Sequence, residues 1–200
     1  MRRWFTTAFA FAALLGLALP ALPQTRPPAS EKAEPRPPPA PPLRIEDLFE
    51  KLKAAKDAAD ARNFADQIQR IWGRSGSDTA DMLMQRAGKA VESKDTDLAL
   101  DLIDSILALA PGWAEAWHRR ASVHFIRKDL DGAMRDLGVV LTREPRHFKA
   151  LMELGAILMQ VDRKKQALVM MKRAADIHPH NEPLTKMIER LGLEVEGQGV

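Results

Sequence analysis

The sequence predicts an all-α solenoid of three helix pairs, flanked by a degenerate N-terminal helix pair and a C-terminal capping helix. Three observations carry this. Pro111, Pro145 and Pro179 are spaced by 34 residues. Ala99, Ala133 and Ala167 stand twelve residues before these prolines, and Ile103, Leu137 and Met171 eight before. Apolar residues between these landmarks recur at the spacing of one helix face. A fixed period of this length marks units that each bury an apolar face against the next.

The elements follow in order. Upstream of the period, Ile45, Leu48, Phe49 and Leu52, then Phe64, Ile68, Ile71 and Trp72, have helical spacing. Ala65 lies 34 residues before Ala99, so residues 44–76 read as a degenerate repeat serving as an N-terminal cap. The three units span 80–113, 114–147 and 148–181, with helices expected at 78–92, 96–109, 114–127, 130–142, 148–160 and 164–177. Each proline ends the second helix of its unit. Small residues at Ala87, Ala121 and Gly155 let the first helix of each unit approach the second, where Ala99, Ala133 and Ala167 face it. Residues 182–193 form a capping helix with Leu184, Met187, Ile188 and Leu191 on one face, and the tail 194–200 is expected to fray.

Period and pattern together resemble the tetratricopeptide repeat (TPR) family. From Ala80 the first unit matches with Leu83, Arg86, Ala87, Ala90, Ala99, Ile103 and Pro111. From Ala114 the second matches with Trp117, Arg120, Ala121, His124, Ala133, Leu137 and Pro145, and from Phe148 the third with Leu151, Leu154, Gly155, Leu158, Ala167, Met171 and Pro179. The resemblance implies a right-handed solenoid whose first helices line a concave groove that holds segments of partner proteins. Arg86 and Arg120 depart from the pattern, occupying places where the family has leucine. A buried guanidinium needs a carboxylate, and Asp136 and Glu144 are the candidates for Arg120.

Composition narrows the function. Lys and Arg number 30 against 27 Asp and Glu, with the signs interspersed rather than gathered into a basic patch, so no nucleic-acid partner is expected. The chain has no cysteine, which excludes disulfides, thiolate metal sites and a cysteine nucleophile. At the N-terminus, Arg2 and Arg3 precede the apolar run Ala8 to Leu19, broken by Pro20, so residues 1–21 read as an export signal to the bacterial periplasm. Ala18 and Ala21 are alternative cleavage ends, and a mitochondrial transit peptide is the alternative reading for a eukaryotic source. Membrane attachment is expected only if this segment is retained. Residues 22–43 hold nine prolines and read as a disordered or polyproline-II linker.

No arrangement of catalytic residues stands out, and no cofactor or metal is expected. His118 and His124 are six residues apart, about 240° around one helix, which denies them a shared ion. His178 and His180, flanking Pro179, read as a solvated turn. His124 is expected in the core with one hydrogen-bond partner. The resemblance assigns the partner groove to Met84, Gly88, Val91, His118, Arg119, Ser122, Phe125, Ile126, Lys149, Met152, Ala156 and Met159. A relative-style carboxylate clamp is not expected: of Met84, Gly88, Arg119, Lys149 and Glu153 at the matching places, only Lys149 fits. The methionine-rich groove suits an amphipathic helix or extended apolar peptide, because thioethers repack around varied shapes. An exposed His118 there implies pH-sensitive binding near its unperturbed value of about 6.5. The function expected is therefore a non-catalytic scaffold or adaptor. The alternatives are a holdase-like chaperone and a regulatory subunit of a cell-envelope enzyme.

Overall fold

A computed structural model of the chain describes residues 44–197; the expected export signal and proline-rich linker lie outside the described residues. The described residues form nine helices and no strand: α1 (Ile45–Lys53), α2 (Ala58–Trp72), α3 (Asp78–Glu92), α4 (Thr96–Leu109), α5 (Ala114–Ile126), α6 (Leu130–Arg143), α7 (Phe148–Gln160), α8 (Lys164–Ile177) and α9 (Glu182–Gly197). None of them is long and apolar enough to cross a membrane.

Each repeat closes its internal turn the same way. Lys94, Lys128 and Asp162, at matching places in the 34-residue period, adopt left-handed φ values of 64°, 65° and 57°. The next residue sends its amide back over the turn, from Asp95 to the Ala90 carbonyl, Asp129 to His124 and Arg163 to Leu158, at 2.7–2.9 Å. These bonds satisfy carbonyls that the ending helix would otherwise leave open. Asp95 and Asp129 then cap the following helix by accepting the amides of Leu98 and Gly132. Gly132 cannot carry a side chain here, because a Cβ would collide with the Asp129 carboxylate and lie 2.9 Å from His124 Nδ1.

The packed pairs are α3 with α4, α5 with α6 and α7 with α8, and successive repeats join through α4 with α5 and α6 with α7. Ala87, Ala121 and Gly155 are buried at the crossings opposite Ala99, Ala133 and Ala167. A Cβ on Gly155 would meet Met171 Cγ at 2.9 Å. α9 closes the C-terminal end by burying Leu184 and Leu191 in the cluster of Leu151, Ala167 and Met171. Of the tail expected to fray from Glu194, residues as far as Gly197 continue α9, where Val195 packs on the same cluster and Glu194 pairs with Lys164 at 3.2 Å, while residues 198–200 lie outside the described residues.

The N-terminal hairpin does not stack on α3 as a preceding repeat would. Its core of Leu48, Phe49, Leu52, Ala61, Ala65 and Ile68 continues into Phe148 of α7 and Ile177 of α8. It thus lies across the turns between repeats. Trp113 donates its indole N–H to the Trp72 carbonyl at 2.7 Å, and the Arg146 guanidinium covers the Phe49 ring at 4.0 Å. His178, expected in a solvated turn, is buried edge-on against Phe148 at 5.6 Å beside this interface.

Candidate functional site

The two unusual arginines behave differently. Arg120 clasps Asp136 with Nε and Nη2 at 2.8 and 2.9 Å and reaches Asp104 with Nη1 at 2.7 Å. Glu144, the other expected partner, instead binds the amide and side chain of Arg146. Arg86 is exposed and has no ion pair among the described residues. The period explains this: the places matching Asp104 and Asp136 hold Arg70 and Leu102, so no acid awaits Arg86. His124 is half-buried rather than fully in the core, with Nδ1 at 2.9 Å from Asp129 and Nε2 at 3.8 Å from Asp136.

Between α3 and α5 lies an open cavity of about 400 Å³, floored by Ile103 of α4. Met84, Gly88, Val91, Arg119, Ser122 and Ile126 line it, six of the twelve residues expected in the groove. Ile126 is an exposed large apolar side chain at its rim. The third repeat contributes nothing to this cavity. Met152 and Met159 are half-buried against the cluster that α9 completes, Phe125 packs toward α6 and α7, and Lys149 and Ala156 lie outside the cavity.

His118 departs furthest from expectation. It is only 5% exposed, lies outside the cavity, and forms a cluster with Glu115, His147 and Glu153. Its Nδ1 is 3.4 Å from Glu115 Oε2 and its Nε2 is 3.3 Å from Glu153 Oε1. Glu115 Oε2 also lies 3.3 Å from His147 Nε2, while Glu115 Oε1 accepts the Arg119 Nε–H at 2.6 Å. His147, 1% exposed, caps α7 by accepting the Ala150 amide on Nδ1 at 3.1 Å. Trp72 stacks on its ring, closing the cluster from the hairpin side.

Burial alone would discharge these groups, and each resolves the conflict differently. Burial lowers His118, but the Glu115 and Glu153 carboxylates outweigh it and push the ring up to about 9. The expected pH sensitivity near 6.5 is thereby removed from this residue. Burial raises Glu115, but His118, His147 and Arg119 hold it well below the usual carboxylate range. His147 is lowered, by burial first and by the His118 charge as well, against the pull of Glu115.

Their spacing along α5 keeps His118 and His124 from sharing an ion. The structure brings His118 instead to Glu115 and His147, whose donor atoms converge within 4.8 Å. His147 occupies the place that Trp113 holds one period earlier, and nothing in the repeat pattern marks it as a ligand.

No family model matches the chain. It is 37% identical over 158 residues to a TPR repeat-containing protein of Rhizobium etli, covering 79% of this chain and 78% of that protein. It is 26% identical over 122 residues to small glutamine-rich tetratricopeptide repeat-containing protein 2 of Saccharomyces cerevisiae, covering 61% of this chain and 35% of that protein. Among solved structures, the first TPR of Spaghetti (RPAP3) bound to an HSP90 peptide aligns with a TM-score of 0.56 at 20% identity, covering 60% of this chain and 95% of that one. The Yersinia enterocolitica type III secretion chaperone SycD, in complex with a peptide of the translocator YopD, gives 0.55 at 14% identity, with coverage of 59% and 95%. MamA protein gives 0.54 at 15% identity, with coverage of 76% and 81%.

Proposed function

Since the chain belongs to the tetratricopeptide repeat family, we propose that it is a non-catalytic scaffold that binds an apolar segment of a partner protein between α3 and α5. The carrying observation is the open cavity lined by Met84, Val91 and Ile126, which offers flexible and branched apolar contacts with Gln85, Glu92 and Arg119 at its margin. Two structural neighbours hold peptides, one from HSP90 and one from YopD, which supports peptide binding as the mode. The cavity lacks the cations of a terminal-carboxylate clamp, since Met84 and Gly88 stand there and Arg119 is tied to Glu115. Apolar anchors therefore supply the affinity.

The proposed location is the periplasm, on the strength of Arg2, Arg3 and the apolar run to Leu19. The test is capture from a periplasmic extract with the intact chain and with Ile126→Asp. One saturable partner lost in the variant is the expected result. Capture of many unfolded proteins favours a holdase-like chaperone, and a captured envelope enzyme favours a regulatory subunit. Equal recovery by both proteins overturns the cavity as the binding site.

A further inference from the structure

We propose that Glu115, His118 and His147 form a binding site for a divalent transition-metal ion of the zinc class, held beneath Trp72 where α5 meets the start of α7. The donors are Glu115 Oε2, His118 Nδ1 and His147 Nε2. Two imidazoles and one carboxylate are a donor set suited to zinc, and three protein ligands leave one position of a four-coordinate ion for water.

The spacing carries the argument. Glu115 Oε2 stands 3.4 Å from His118 Nδ1 and 3.3 Å from His147 Nε2, and the donor atoms of the three residues all lie within 4.8 Å of one another, so the two imidazoles close in on the ion when it binds. Charge-assisted N–H···O bonds run at about 2.7–2.9 Å, and this cluster makes one at 2.6 Å from Arg119 to the same carboxylate. Donors around one tetrahedral ion with bonds of about 2.0–2.1 Å lie about 3.3 Å apart. The buried His118 ring makes no well-formed hydrogen bond: its two nitrogens meet only carboxylate oxygens, at 3.4 Å from Glu115 and 3.3 Å from Glu153.

The surroundings resemble those that orient metal ligands. Arg119 occupies Glu115 Oε1, so Oε2, which faces both imidazoles, is the oxygen that would meet the ion. Glu153 faces His118 Nε2, directing Nδ1 inward, and the Ser122 hydroxyl holds Glu153 at 3.3 Å. On binding, the ion replaces the proton at His118 Nδ1, which leaves to solvent. The His147 proton moves from Nε2 to Nδ1, and the Ala150 amide loses its cap. Two N–H donors would then face each other at the first turn of α7, so that turn must shift, a cost that the free energy of ligating the metal has to exceed.

The experiment titrates Co²⁺, then Zn²⁺, into the chelator-treated full chain and reads visible absorption and thermal midpoint. One equivalent of Co²⁺ with four-coordinate absorption, displaced by Zn²⁺ and accompanied by a raised midpoint, is expected. His147→Asn retains a capping oxygen while deleting a ligand, and Glu115→Gln and His118→Gln each remove another. All three should abolish uptake while keeping the helical circular dichroism, and Glu153→Gln should weaken it by about tenfold. His124→Gln and His180→Gln should leave it unchanged. Absence of saturable uptake by the intact chain, or uptake that persists in any correctly folded ligand variant, overturns the site. Either result is independent of peptide capture through the α3–α5 cavity.

Discussion

The Trp72 indole lies parallel on the His147 imidazole, with ring centroids 4.4 Å apart and planes 9° from each other. This contact joins the N-terminal hairpin to the junction between the second and third repeats. Trp72→Ala should destabilise the chain by about 2–4 kcal/mol, somewhat less than for a fully buried aromatic. Amide exchange should show α1 and α2 losing protection before α3 to α8. Uniform loss across all helices would contradict this placement of the hairpin.

The Arg120 and Asp136 pair predicts an asymmetric response. Asp136 is 4% exposed, and Asp136→Ala leaves the half-buried guanidinium with only the exposed Asp104, which should cost about 2–3 kcal/mol by denaturant unfolding. The exposed Asp104 should contribute at most about 1 kcal/mol. The third repeat holds Leu154 and Met170 at the matching places, so Arg120→Leu with Asp136→Met should recover most of the loss.

Lys128 has φ 65°, where a Cβ is strained. Lys128→Gly relieves about 1–2 kcal/mol of that strain against about 0.5–1 kcal/mol of added chain entropy. A net stabilisation of about 0.5 kcal/mol is expected in thermal unfolding. The same substitution at the right-handed Arg127, φ −76°, should destabilise.

Overpacking should be felt at the repeat crossing. Gly155→Leu places a side chain against Met171 and should cost about 1–3 kcal/mol, measured by chemical denaturation.

Several carboxylates set an acid limb, the buried Glu115 with Asp57, Asp81 and Asp129 among them. Backbone amides of Asp60 and Ala59 lower Asp57, Ser75 lowers Asp81 through its hydroxyl and amide, and the Gly132 amide followed by the His124 charge lowers Asp129. Each folded value lies below the unfolded one. Their stabilisation is therefore complete above about pH 4 and is lost as pH falls through the folded values. Asp129→Asn keeps a capping oxygen and should flatten that limb in thermal midpoints measured from pH 5 downward.

The candidate site was only partly legible in the sequence. The family resemblance puts Met84, Gly88, Val91, Arg119, Ser122 and Ile126 on one surface, and these six line one cavity. The resemblance gave His118 the same direction but could not reveal that Trp72 and His147 would enclose it. Glu194 and Val195 likewise gain their helix from Lys164 and the α9 cluster rather than from local signals.

By itself the sequence determined the helices and their repetition, because periodic apolar faces, caps and prolines act over a few residues and recur every 34. Only the tertiary structure decided where the hairpin lies and what happens to Arg86, Arg120 and His118. These depend on contacts such as Trp72 with His147 and Arg120 with Asp104 and Asp136, between residues distant in the chain. No local pattern specifies such pairs; burial and charge compensation select them once the repeats have stacked.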